Sequence, residues 1–304
     1  MYSLTMRVAK LHEVTFFLLS LAAVLLSASA SWPQSCKLVR SEFSDNAVFL
    51  LTKIDGRGHF WFSVDSGSNI TIMASSLKNE LPPLPHGEVP ILSFSGIVLK
   101  PRPESLFWSG FKSVRESTRH EVDGSVGDEL FRNFVVQIDY DKEKILLCTH
   151  GSHPTGPLGS KVNIESRDFP LLALVGARLK SKDNKKIDAR LALDTGGSFT
   201  VALLSPFVVQ HPEVHTSNEA KVSGLGLTGP ETMIQSKLNA VRVGRFVIHN
   251  SIVELEPPKE SDLPSKADGL LGANFFSKFT VTFDYGTNCM FLRPNRYYRE
   301  PLHR

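Results

Sequence analysis

Two segments of this chain repeat each other. DGSVGDELFRNFVVQIDY (123–140) aligns without a gap on DGLLGANFFSKFTVTFDY (268–285), with eight identities in 18 positions, among them Asp123/Asp268, Gly127/Gly272, Phe131/Phe276 and Tyr140/Tyr285. Upstream of each lies a second shared element: an alternating apolar strand that ends in Asp-Ser-Gly at Asp65 and in Asp-Thr-Gly at Asp194. Two unrelated motifs recurring in the same order mark an internal duplication, which constrains the fold more than any local propensity. The expected organisation is two homologous lobes, 31–150 and 151–296, with the Gly/Pro/Ser-rich stretch 149–160 as linker and a polar, frayed tail at 297–304. Asp65 and Asp123 are 58 residues apart, Asp194 and Asp268 74, so the second lobe carries 16 extra residues between its motifs.

Short β-branched and aromatic runs bounded by turn residues fill both halves, for example 47–54, 58–64, 134–140 and 144–148 in the first, and 170–180, 239–249 and 279–285 in the second. Helix is confined to short segments after Gly127 and Gly272 and at 205–212. The fold class expected is all-β and bilobal, two β-barrel-like lobes with a cleft between them.

Residues 1–30 stand apart. Arg7 and Lys10 precede an apolar run at 15–27 and an Ala-Ser-Ala site at 28–30, the pattern of a cleaved signal peptide. The protein is therefore expected to be exported, periplasmic or secreted, with no membrane attachment after cleavage. Of Cys36, Cys148 and Cys289, an exported chain is expected to oxidise one pair and leave one thiol; the spacing does not say which. A net charge of +3 is too small to indicate nucleic acid, and the ten scattered His residues form no metal-ligand spacing. No metal or organic cofactor is expected, and a monomer is the expected state.

Gly224–Gly229 satisfies G-x-G-x-x-G, but Pro230 and β surroundings oppose a dinucleotide loop. Ser75–Lys78 satisfies S-x-x-K without the partner motifs that would give it meaning. Asp123 and Asp268 are expected to cap the short helices or fix the Asp-Gly bends, and Asp139 and Asp284 to form turns. The sequon at Asn69 leaves the first Asp-Ser-Gly turn and is expected to be unused.

The two Asp-Gly turns carry the chemistry. A strand of alternating apolar residues delivers its last residue to the edge of a core, and Gly permits a tight turn there. One such turn in each lobe can bring two carboxylates together across a pseudo-twofold axis. Carboxylates about 3 Å apart cannot both ionise and so share a proton. One then serves as general base towards a water while the protonated one polarises a carbonyl.

With these residues in view, the chain resembles the pepsin and retropepsin superfamily of aspartic proteases, in the style of paired retropepsin-like aspartyl protease domains. DSGSN, DTGGS, DGSVG and DGLLG carry the likeness, which spans about 45–293. It implies Asp65 and Asp194 as the catalytic dyad, supported by Ser66, Gly67, Ser68, Thr195 and Gly196. Val126-Gly127 and Leu271-Gly272 would pack behind them. It also implies a peptide or protein substrate in the inter-lobe cleft, with the Gly-rich stretch around Gly224, Leu225, Gly226 and Leu227 as flap. Two features depart from the pattern: Gly197 where a hydroxyl residue is common, and no Tyr between Asp65 and Asp123, with Phe94, Phe107, Trp108 and Phe111 as the available aromatics. Because of them, the same fold without hydrolysis, as a peptide-binding or scaffold module, is the alternative.

Overall fold

The computed structural model describes residues 35–82, 88–111, 115, 119–166, 172–226, 229–258 and 266–300. The leader 1–30, most of the stub before Cys36, residue Leu227 and residues 301–304 lie outside that set. Everything that follows concerns the compact unit Cys36–Arg304.

The expected all-β, bilobal architecture is present, and the duplication is visible strand by strand. In the first lobe, Arg57–Val64 runs parallel to Gly124–Val126, which pairs antiparallel with Thr71–Ala74, which in turn pairs parallel with Leu106–Ser109. In the second, Lys186–Leu193, Gly269–Leu271, Val201–Leu203 and Ile252–Leu255 repeat that arrangement with the same parallel and antiparallel senses. Registers coincide: Val64 faces Val126 as Leu193 faces Leu271. A hairpin then extends each sheet: Leu92–Phe94 with Ile97–Leu99 against Ala47–Ile54, and Ala240–Val243 with Phe246–His249 against Leu174–Lys180. The sequence reading had 239–249 as one strand. It is two, because Gly244 adopts φ +55° and turns the chain.

The extra length of the second lobe is a hairpin as well. Ala220–Gly226 pairs with Gly229–Lys237, and the latter covers the edge strand Ile252–Leu255. The described residues of the first lobe hold no counterpart, so the surplus between the two repeats lies here. The G-x-G-x-x-G match spans the tip of this hairpin, with Gly226 opposite Gly229, and opens no helix.

The lobes share a sheet. Its strands run in the order Cys36–Val39, Lys144–Cys148, Val135–Asp139, Phe279–Asp284, Cys289–Pro294 and Ser160–Glu165, so the pairing of Val136 with Phe283 joins first lobe to second. Repeated aromatics pack over this junction. Phe131 meets Phe283 edge-on at 5.2 Å, and Phe276 meets Phe283 at 5.4 Å. Phe131, Phe276, Phe279 and Phe283 are fully buried and Phe134 packs partly buried against the same core, so both F-x-x-F elements serve core packing. The disulfide joins Cys36 to Cys148 across the first strand pair, leaving Cys289 as a buried thiol.

Short helices occupy Glu129–Asn133, Ser205–Gln210 and Ala273–Phe276, as expected after the two glycines and at 205–212. Two expectations need correcting. Residues 296–300 are not a frayed tail: Tyr298 packs on Phe279 and Phe246, with ring centroids 5.3 and 5.9 Å away, and Lys278 Nζ donates to the Glu300 carbonyl. Of the two roles expected for Asp123 and Asp268, the helix cap is not taken up: the residues at the caps are Asp128 and Gly272. Each of the Asp123 and Asp268 carboxylates accepts the backbone N–H of the neighbouring strand, at Trp61 and Arg190, while the same residue's N–H returns a bond to that strand's carbonyl. Their carbonyls accept from Ala74 and Leu204, so each Asp ties three strands together.

Candidate active site

Each Asp-[Ser/Thr]-Gly loop is held from behind by the inserted repeat strand. The Asp65 N–H donates to the Val126 carbonyl and the Asp194 N–H to the Leu271 carbonyl. Gly127 and Gly272 must lack a side chain. A Cβ there would lie 2.3 Å from the Ile70 oxygen or 2.2 Å from the Phe199 oxygen, far inside contact distance. The N–H groups of Asp128 and Ala273 then close the loops onto the Ser68 and Gly197 carbonyls.

The two loops interlock through their hydroxyl residues. Ser66 N–H donates to Thr195 Oγ1 and Thr195 N–H donates to Ser66 Oγ, both at 3.0 Å. Each hydroxyl then donates into the opposite lobe, Ser66 to the Leu193 carbonyl and Thr195 to the Val64 carbonyl, at 2.9 Å. All four bonds are buried, where an unmet backbone donor or acceptor is expensive. The loops are thus held in one relative position.

That position brings Asp65 and Asp194 into a mutual side-chain hydrogen bond. Oδ1 of Asp65 accepts from the Gly67 N–H at 2.9 Å, and Oδ1 of Asp194 accepts from the Gly196 and Gly197 N–H groups at 3.0 Å. Burial raises the pKa of both carboxyls. Asp65 is driven well above the usual carboxylate range by burial first and then by the facing Asp194; the amides of Gly67 and Ser68 pull back only partly. Asp194 is raised by burial and drawn back by the bond to Asp65 and by the amides of Gly196 and Gly197. Asp194 also raises the pKa of the buried Tyr140 hydroxyl, after the larger effect of burial. Such a pair holds a proton at a pH where exposed aspartates have lost theirs.

Of the residues singled out from sequence, Asp65, Ser66, Gly67, Thr195 and Gly196 meet at this point. Ser68 acts differently from the expectation of a supporting hydroxyl. Its Oγ donates to the Ile70 carbonyl at 3.0 Å, so only its backbone reaches Asp65. Gly224, Leu225 and Gly226 lie on the extra hairpin. Among the aromatics that were candidates for a flap role, Phe94 and Phe111 are core, Phe107 is exposed, and Trp108 lies under Lys78 Nζ. Phe199 was missed by sequence reasoning, although its ring edge and Oδ2 of Asp194 both border the space that a Cβ on Gly197 would fill. No group of His, Cys, Asp and Glu suited to a metal occurs among the described residues. No helix among them is long and apolar enough to cross a membrane.

Comparison with known proteins agrees with this geometry. A family model described as "Aspartyl protease" matches residues 179–275, within the second lobe. No curated protein matches the sequence at a significant level. Among solved structures, an aspartic proteinase from Irpex lacteus superposes with a TM-score of 0.52 at 12% identity, covering 88% of this chain and all of the other. Strand order, paired loops and these likenesses converge: the chain has the fold of the aspartic protease superfamily.

Proposed function

We propose that this protein is an aspartic endopeptidase that hydrolyses peptide bonds with a water activated between Asp65 and Asp194. One observation carries the reading: two buried carboxyls, one from each lobe, hydrogen-bond each other, and burial raises the pKa of both, that of Asp65 well above its usual value. In this mechanism the pair enters the reaction with one proton. The ionised member takes a proton from water as the water oxygen attacks the scissile carbonyl carbon. The protonated member donates to the carbonyl oxygen, and the tetrahedral intermediate collapses as a proton passes to the leaving amine. The glycine N–H groups at positions 67, 196 and 197 orient both carboxylates before substrate arrives, which lowers the reorganisation the step requires.

The substrate is an extended peptide in the cleft between the lobes. The hairpin Ala220–Gly226 and Gly229–Lys237 serves as the flap, offering backbone donors and acceptors to it. The protein acts after export, periplasmic or secreted. The leader-like first 30 residues and the Cys36–Cys148 bridge support that placement.

The test is cleavage of a denatured protein between pH 3 and pH 7 by the purified protein, Asp65→Asn and Asp194→Asn. Fragments from the parent alone are expected. Equal fragments from all three, or none from a folded parent at any pH, overturn the reading and favour a binding module.

A further inference from the structure

Position 197 differs between the lobes for a reason the structure supplies. Its counterpart is Ser68, followed two residues later by Ile70; here Gly197 is followed by Phe199. Gly197 is not required by a left-handed backbone, since it is absent from the residues with positive φ. It is required by space. A Cβ on Gly197 would lie 2.4 Å from Cε1 and Cζ of the Phe199 ring and 2.7 Å from Oδ2 of Asp194. Ring edge and carboxylate oxygen therefore border the same small volume. A Cβ on Gly272 would likewise meet Phe199 Cδ2 at 2.5 Å, whereas at Gly127 the nearest atoms are all backbone. In the second lobe an aromatic ring takes the room that a serine side chain occupies in the first.

The backbone that carries the ring is also held in place. Asn274 donates its N–H to the Phe199 carbonyl and its Nδ2 to the Ser198 carbonyl, and its Oδ1 accepts from Asn46 of the first lobe at 2.9 Å. The segment carrying Phe199 is thus tied across the molecule. Oδ1 of Asp194 takes the two amide bonds, while Oδ2 borders the apolar ring edge.

We propose that Phe199 is a positioning residue that shields Oδ2 of Asp194 from water and so sets the pH range over which the two carboxyls share one proton. This deepens the endopeptidase reading and rests on the pair acting as one acid–base unit. An apolar wall disfavours the charged form of a carboxylate and extends the singly protonated state to higher pH. Among the described residues, the titratable groups that bear on Asp194 are Asp65 and Tyr140, and neither is altered by changing Phe199.

The experiment is a carbon-13 NMR titration of the two carboxyls in the full protein, beside the pH profile of cleavage, for the parent and three variants. Phe199→Ala is expected to lower the upper midpoint of the pair by about one unit, with the high-pH limb of kcat moving alike. Phe199→Met, which keeps the apolarity and most of the volume, is expected to titrate close to the parent. Gly197→Ser with Phe199→Ile, copying the first lobe, is expected to fold and to shift in the same direction as Phe199→Ala, and it substitutes should Phe199→Ala fail to fold. Parent-like midpoints in a folded Phe199→Ala or in the double variant overturn the proposal. So does a Met variant that shifts as far as Ala. Because the titration needs no turnover, a parent that cleaves nothing counts against the endopeptidase reading alone.

Discussion

Gly67 lies against Asp194 of the opposite lobe so closely that a Cβ at position 67 would be 2.5 Å from the Asp194 Cγ. Gly196 bears the same relation to Asp65, at 2.6 Å. Each loop thus supplies the surface on which the other's carboxylate rests, and neither glycine has a positive φ to account for it.

Gly67→Ala and Gly196→Ala are therefore expected to push the carboxyls apart. Misplacement of a catalytic group by about 1 Å costs on the order of 10²-fold in rate, and overpacking costs about 1–3 kcal/mol. Cleavage assays with chemical unfolding would separate the two effects. Full activity in either variant would show that the loops yield freely.

Ser66→Ala removes a donor to Leu193 and leaves the buried Thr195 N–H without its acceptor. A loss of about 1–3 kcal/mol is expected, with Thr195→Val affected similarly and Thr195→Ser little affected. The double variant Ser66→Ala with Thr195→Val should lose less than the sum, because both act on one network. Urea unfolding of the parent and these four variants tests this, and strict additivity contradicts it.

The raised carboxyls predict a sign for pH dependence. An unfolded aspartate releases its proton near pH 3.9, while the folded pair keeps one to higher pH. Between those limits the native state binds more protons, so this pair's contribution to stability is full below the unfolded value and is lost as pH rises through the folded one. The Tm of the parent should fall relative to that of Asp65→Asn as pH goes from 4 to 7. Parallel Tm curves for the two proteins would count against a retained proton.

The bridge between Cys36 and Cys148 closes a separation of 112 residues. In the chain-entropy account a loop of about this size is worth up to about 4.7 kcal/mol. Cys36→Ser with Cys148→Ser is expected to unfold at markedly lower urea concentration, and the parent should weaken likewise under reductant. An unchanged midpoint would mean that the strand Cys36–Val39 holds without its covalent tie.

The sequence was most legible where a residue's role depends on its own lobe. Repeated glycines and aspartates marked both loops and both inserted strands, because close backbone approach admits only Gly and because Asp123 and Asp268 each tie neighbouring strands. The extra hairpin was legible as a length difference between repeats. Roles that arise between lobes left no local pattern. The junction of Val136 with Phe283 depends on strands that meet only in the finished fold. The Cys36–Cys148 pairing and the nearness of Phe199 to Asp194 each lie within one lobe, yet no sequence period encodes them. Ser68 was expected to support the Asp65–Asp194 pair, and it reaches Asp65 only through its backbone, while its hydroxyl closes a local turn onto Ile70.

The shared sheet has a consequence for how the chain is made. Val136 emerges from the ribosome long before Phe283, its pairing partner. Until then the strand Val135–Asp139 presents a bare edge, the kind of surface that recruits foreign strands. Biosynthesis must keep that edge unoccupied until nearly the whole polypeptide has appeared. A gene fragment ending near residue 150 would leave that edge open to a second copy of itself or to foreign strands.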